Sequence, residues 1–74
     1  MYEKIIVNQE VANDPDYQER LTFKEAAVLL YVGSVGDIGT DDLSKIAEEA
    51  DTSVGDIEKI INELIRKGYM QELD

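Results

Sequence analysis

Residues 40–68 read TDDLSKIAEEADTSVGDIEKIINELIRKG, and this stretch predicts two helices joined by a short turn. Thr40 is the expected N-cap of the first of these helices, because its hydroxyl can accept a bond from a helix-start N–H and two acidic residues follow it. Apolar residues then recur at the i, i+3, i+4 and i+7 spacing of one buried helix face. They are Leu43, Ile46, Ala47 and Ala50.

The helix after the turn has start and stop signals of its own. Ser53 stands three residues before Asp56, the spacing of a capping box, and Gly68 follows Arg66 and Lys67 as a C-terminal stop. Its predicted buried stripe is Ile57, Ile60, Ile61 and Leu64, with Ile65 at the margin. Two helices with a turn of about three residues match helix-turn-helix geometry, in which the first helix braces the second against its target.

Upstream residues predict a strand, a turn and one more helix. Residues 4–7, KIIV, are a β-branched run that suits a strand, and residues 13–16, NDPD, form a turn after it. Thr22 and Glu25 have capping-box spacing and start a helix predicted over residues 23–33.

The centre of that helix, residues 26–32, reads AAVLLYV and is apolar nearly all round. Such a helix is typically enclosed by other elements or by a partner subunit, and we expect core packing here. Residues 35–38 and 69–73 predict two further short strands. The fold class is therefore mainly α (α+β), a single domain of residues 1–74. It divides into a strand and linker at 1–20, a three-helix core at 22–68 and a terminal strand at 69–73.

Composition limits the chemistry of the chain. Its 74 residues are 43% hydrophobic and 32% charged, with a net charge of -10, which fits one small, acidic globular domain. Without Cys or His, disulfides, the usual zinc ligands and thiolate or imidazole catalysis are excluded. We expect a non-enzyme without cofactors or a small-molecule substrate. The longest apolar run is too short to cross a bilayer and no basic secretion signal begins the chain, so a cytoplasmic protein is expected.

A family resemblance rests on residues 43–50, LSKIAEEA, on residues 67–69, KGY, and on Ser53, Ile57, Lys59 and Leu64. This pattern resembles the second and third helices of bacterial winged-helix proteins. The order of elements before residues 21–26 is similar to the N-terminal domains of phage and plasmid replication-initiation proteins and of small bacterial regulators. The resemblance covers roughly residues 21–70 and implies a winged-helix-like fold that acts in replication or transcription control.

Several departures from the family pattern bear on function. Asp51 stands where the family often has Gly, a change that Asp tolerates because it can adopt the left-handed conformation. The family completes a two-stranded wing after its third helix, whereas this chain offers one candidate strand, so the wing is predicted to be incomplete. DNA-reading helices usually begin with basic or amide residues, but this helix begins with Val54 and acidic residues.

The charge of this region is unfavourable for phosphate contact. Residues 53–67 carry three basic and three acidic residues and are neutral, and residues 40–51 carry five acids against Lys45, which gives -4. Polyanionic DNA attracts the opposite pattern. The candidate contact residues for DNA or a protein partner are Ser53, Val54, Lys59, Asn62, Arg66 and Lys67.

Two hypotheses follow. The first is an interaction module that acts through self-association or through a protein partner with a basic surface, towards which its acidic face would steer it. The second is direct DNA binding through the third helix, as a dimer. The charge favours the first hypothesis. For a dimer, the first predicted helix and the N-terminal strand are the candidate interface.

Two acidic groups invite a cation-binding interpretation. They are Asp37, Asp41 and Asp42, and Asp51, Asp56 and Glu58. Neither group has the spacing of a calcium loop, and helix capping explains several of their members, so no metal site is predicted.

Overall fold

The fold is described from a computed structural model that covers residues 4–17 and 20–73. In chain order the elements are β1 (Lys4–Val7), α1 (Gln9–Ala12), α2 (Phe23–Val35), β2 (Asp37–Ile38), α3 (Asp42–Glu49), α4 (Val54–Arg66) and β3 (Met70–Leu73). The α+β class is confirmed. The three predicted helices are α2, α3 and α4, and the short helix α1 lies in the region predicted as linker.

Helix α2 begins at the predicted capping box. The Glu25 backbone N–H donates to the Thr22 hydroxyl at 3.1 Å, and the Thr22 N–H donates to Glu25 Oε1 at 2.9 Å. The helix runs two residues beyond the predicted end at residue 33 and stops at Gly36, whose φ of 97° no longer continues a helix.

Helix α3 begins one residue later than predicted, and the assignment of Thr40 as its N-cap is wrong. The N-cap is Asp41, and the Asp42 carboxylate reaches back to accept a bond from the Gly39 N–H at 2.9 Å. This bond satisfies a backbone donor just before the helix start, whereas the predicted Thr40 cap would accept from an N–H of the first helical turn. At the other end, Ala50 is the C-cap and is exposed, so it does not extend the buried face.

The turn between α3 and α4 contains the predicted left-handed residue. Asp51 has a φ of 54°. Its N–H donates to the Glu48 carbonyl at 3.2 Å, and the Thr52 N–H donates to the Ala47 carbonyl at 2.9 Å. These two bonds form a Schellman motif, which closes α3 and turns the chain into α4.

Helix α4 has the predicted N-cap, but only half of the predicted capping box. The Asp56 N–H donates to the Ser53 hydroxyl at 3.2 Å. The Asp56 carboxylate accepts from the Thr52 hydroxyl at 2.7 Å, so the side chain is held by the turn and the reciprocal bond to the Ser53 backbone is replaced.

The strand predictions at residues 4–7, 35–38 and 69–73 are confirmed, the last two in shorter form. In the described residues the three strands form one antiparallel sheet in the order β2-β1-β3. Ile5 pairs with Ile38 on one side of β1, and Val7 pairs with Met70 on the other. The N-terminal strand is therefore the centre of the sheet, and β3 pairs with it instead of with a strand that follows β3.

The core lies between this sheet and the three longer helices. Its fully buried members from α4 are Ile57, Ile61 and Leu64, as predicted, while Ile60 and Ile65 are half-buried. The remaining core side chains are Ile5, Val7, Val28, Val32, Ile38, Leu43, Ile46, Ala47, Tyr69 and Met70. The expectation that residues 26–32 of α2 pack inside all round is wrong, because Leu30 is 76% exposed.

Candidate interaction site

The candidate contact residues lie along α4 and at its two ends. Five of them are exposed: Ser53, Val54, Lys59, Asn62 and Arg66. Val54 is 37% exposed, so it packs only in part against the turn. The hydroxyl of Ser53 is already used as a helix cap. The structure thus brings most of the predicted residues to one exposed helix.

Arg66 is paired within its own helix. Its Nε donates to Glu63 Oε1 at 2.7 Å, and its Nη2 donates to the same oxygen. Both side chains are substantially exposed, at 63% and 40%. The local charge of the Arg66 guanidinium is therefore offset by Glu63, which weakens its attraction for a phosphate.

The Lys67 side chain is largely buried at the end of α4. Its ammonium donates to Glu25 Oε1 at 2.6 Å and to the Arg20 carbonyl at 2.7 Å. The Lys67 side chain is 11% exposed and the Glu25 side chain 7%. The prediction that Lys67 contacts a ligand is not supported by this placement, because the ammonium is a structural partner of the first turn of α2. Sequence reasoning found Glu25 only as a cap and missed this pairing.

The ion pair sets the pKa of Glu25. Burial alone would raise the pKa of this carboxyl, but the hydrogen bond and charge of Lys67, together with the bonds from Thr22, lower it below its ordinary value. The net direction is downward, so the folded protein holds Glu25 ionised. The pair joins the start of α2 to the end of α4 across the core.

We expect the protein to lose stability in acid. A carboxyl whose pKa is lower in the folded state than in the unfolded chain stabilises the fold above its unfolded pKa, and this stability is lost as the pH falls through the folded value. For Glu25 the loss begins near the ordinary value of 4.5. The pKa values of Asp56 and Glu63 are also lowered, chiefly by hydrogen bonds from the Thr52 hydroxyl and from Arg66.

Urea unfolding measured between pH 7 and pH 3 checks this expectation. The free energy of unfolding should be nearly constant above about pH 5.5 and should fall below pH 4.5. Glu25→Gln is the matched variant and should show a shallower fall. An equally steep fall in that variant would show that Glu25 does not contribute to the acid sensitivity.

The corner between α4 and β3 is held by several side chains. The Tyr17 hydroxyl donates to the Lys67 carbonyl, and the Tyr17 ring packs edge-on against Tyr69 with centroids 5.1 Å apart. Asn8 Nδ2 donates to the Gly68 carbonyl at 3.3 Å, and the Asn8 N–H donates to the Tyr69 carbonyl at 2.8 Å. These contacts hold the end of α4 and the start of β3 against the segment that contains Asn8 and Tyr17.

A second candidate surface lies on α2, the helix expected to pack in the core and, for a dimer, to form the interface together with the N-terminal strand. Phe23 is 91% exposed and Leu30 is 76% exposed. Ala27 and Ser34 are also exposed, and the four positions follow a 4-3-4 spacing that places them on one helix face. We call Phe23, Ala27, Leu30 and Ser34 the α2 ridge. The spacing was visible in the sequence, but the apolar residues around it concealed which face is exposed.

A groove lies on each side of the α2 ridge. One has a volume of about 400 Å³, and its lining includes Leu30, Gly33 and Ser34 from α2 and Ala12 from α1. The other, of about 190 Å³, lies towards α3 and is lined mainly by apolar side chains. Both grooves are open to solvent, so the ridge and its flanks form one largely apolar surface.

The acidic groups show no cation cage in the part of the chain that the structure describes. No cluster of three or more acidic residues with ligand geometry occurs among residues 4–17 and 20–73. Asp42 accepts a hydrogen bond from the Gly39 N–H and Asp56 accepts one from the Thr52 hydroxyl, so each carboxylate has a partner beside the start of its helix. None of the described helices is long and apolar enough to span a membrane.

Comparison of the chain with models of protein families, with curated proteins and with solved structures found no match. We therefore infer the function of this chain from its own geometry and charge.

Proposed function

We propose that this chain is a non-enzymatic, acidic, winged-helix-like module that acts through protein contacts or self-association in a DNA-related process such as replication or transcription control. The supporting observation is that cations of α4 and its C-cap are bonded to carboxylates of the same chain. Lys67 is paired with Glu25, and Arg66 is bonded to Glu63. Two of the three cations in residues 53–67 are thus engaged by carboxylates of the same chain, and Lys59 is the third.

The charge that remains on α4 opposes phosphate contact. With Lys67 neutralised by Glu25, the helix carries Lys59 and Arg66 against three acids, which gives 2 − 3 = −1. The three acids are Asp56, Glu58 and Glu63. A surface of this charge repels the backbone of DNA, whose contacts with Lys and Arg supply most of the affinity of non-specific binding.

The exposed side of α3 defines the kind of protein partner. Its acidic residues Asp41, Asp42, Glu48, Glu49 and Asp51 are all exposed. This acidic face would attract a partner with a basic surface and speed their association at low salt. A basic surface that otherwise binds DNA is one such partner, and α3 would then compete with DNA for it.

Direct DNA binding is the second candidate function, and the turn between α3 and α4 favours it. Four residues separate the two helices, and Asp51 takes the left-handed conformation that such a turn requires. Lys59 and Asn62 are exposed on α4 and would be its contacts. The short connection between the two helices thus supports this candidate, while the charge of α4 opposes it.

A mobility-shift titration with a short DNA duplex at low salt separates the two candidates. We expect no shift at high micromolar protein, because the α4 surface has a net negative charge. A shift that weakens steeply as salt is added would contradict the proposal and would establish phosphate contact.

The matched positive control is the double variant Gly55→Arg/Glu58→Arg. Both positions are exposed on α4, and the changes add three positive charges without altering the core. If only charge prevents docking, this variant should shift the duplex under conditions in which the unchanged protein does not.

A further inference from the structure

We propose that the α2 ridge is the interface at which two copies of this chain associate, with their α2 helices antiparallel about a two-fold axis. This inference names the partner for one surface of the proposed interaction module and rests on that proposed function. The acidic face on α3 is not part of it. The charge, the shape and the size of the ridge each bear on this arrangement.

The charge of the chain selects this surface for self-association. Two copies with a net charge of -10 each repel one another over most of their surfaces. Residues 26–36, AAVLLYVGSVG, carry no charged residue at all. A partner with a basic surface would instead be drawn to the acidic face. The ridge, which carries no charge, is therefore a surface at which two copies of this acidic chain can meet with little repulsion.

The shape of the ridge is self-complementary. Phe23 projects at one end of it, and the groove of about 400 Å³ lies at the other, beside Gly33 and Ser34. The two features are ten to eleven residues apart, or about 15–16 Å along the helix. A two-fold axis through the middle of the ridge, between Ala27 and Leu30, places the Phe23 ring of each copy in the groove of the other.

Small residues allow this approach. A side chain at Gly33 would first meet Val7 Cγ2 at 4.0 Å, so the groove is vacant above Gly33. Ala27 at the centre of the ridge lets the two helix axes come close together. The size of the ridge limits how tightly two copies can associate. A helix face about 20 Å long buries less than the roughly 800 Å² per partner of a standard interface, so we expect weak association that needs a high protein concentration.

Sedimentation equilibrium from 10 µM to 1 mM protein tests the interface. The average mass should rise from 8.3 kDa towards twice that value and no further, because a two-fold interface closes. Phe23→Ala and Leu30→Glu should each remain monomeric. Gln71→Glu, exposed on β3, has the same net charge as Leu30→Glu and should still dimerise. Circular dichroism confirms that each variant is folded.

A mixing experiment tests the two-fold geometry itself. Phe23→Ala lacks the projecting ring but keeps the groove, and Gly33→Leu fills the groove but keeps the ring. Each variant alone should be monomeric, and an equal mixture should associate, because the mixed pair retains one ring in one groove. No association in the mixture would overturn the antiparallel arrangement.

Three results would overturn the interface: an unchanged protein that stays at 8.3 kDa at 1 mM, a dimer unaffected by both ridge variants, or growth beyond a dimer. A monomer that also fails to shift DNA would remove this inference alone and leave the proposed contact with a basic protein standing. A DNA shift would instead remove the proposed function, whatever the sedimentation result.

Discussion

Replacing Lys67 by methionine is expected to lower the free energy of unfolding by about 3 kcal/mol, because it breaks a largely buried ion pair. The change leaves the Glu25 carboxylate buried without its counter-ion. The side chains of the pair are 7% and 11% exposed, so water cannot take the place of the missing partner. A domain of 74 residues has a total stability of roughly 4–11 kcal/mol, so the variant should be only marginally folded.

The converse substitution, Glu25→Gln, should cost a similar amount for the opposite reason, because it leaves a buried ammonium unpaired. The amide oxygen of Gln can still accept from the Thr22 N–H, so the helix cap is retained. The double variant Glu25→Gln/Lys67→Met removes both charges. Its loss in free energy of unfolding should be smaller than the sum of the two single losses, by at least about 1.5 kcal/mol. Urea denaturation at pH 7 supplies all four values. Strict additivity would show that the two groups are not coupled.

Replacing Gly68 by alanine is expected to cost about 2–3 kcal/mol. Gly68 has a φ of 89°, a conformation that strains any residue with a Cβ. A Cβ at this position would also lie 2.6 Å from the Tyr17 hydroxyl oxygen, which donates to the Lys67 carbonyl. The substitution therefore combines backbone strain with displacement of the Tyr17 side chain.

Gly55→Ala, within α4, is the matched control for the change at Gly68, which lies just beyond the C-cap of that helix. A Cβ at Gly55 first meets Ser53 Oγ at an ordinary 3.9 Å, so this variant should be unchanged or up to about 1 kcal/mol more stable. The double variant Tyr17→Phe/Gly68→Ala should lose less than the two single losses together, because removing the hydroxyl relieves the contact. Thermal unfolding measures these differences. A Gly68→Ala variant as stable as Gly55→Ala would contradict the account of this corner.

The sequence predicted the elements of this fold well because their signals are local. Each of these signals depends on residues a few positions apart, so it can be recognised without the tertiary structure. The signals are the caps at Thr22 and Ser53, the left-handed Asp51 and the buried stripe of α4. The N-cap of α3 was misplaced by one residue because Thr40 and Asp41 are adjacent and both are residue types that suit an N-cap.

Contacts between residues far apart in the sequence determine which side chains are paired or exposed, and local sequence patterns do not show them. Lys67 looked like a surface cation, and only the packing of α4 against the start of α2 shows that Glu25, 42 positions away, engages it. Leu30 lies in the stretch expected to be core, because an apolar helix does not reveal which of its faces the rest of the chain covers. The sequence thus predicted exposed residues on α4 and a candidate interface on α2, but it showed neither the pairing of Lys67 nor which face of α2 is exposed.

The most direct test of the account is a map of amide chemical shifts from isotope-labelled protein, recorded as the protein is concentrated and then as duplex DNA is added at low salt. The account predicts that concentration moves the resonances of Phe23, Ala27, Leu30, Gly33 and Ser34, and that DNA leaves α4 unchanged. Shifts at Ser53, Lys59 and Asn62 on addition of DNA, with α2 insensitive to concentration, would contradict it.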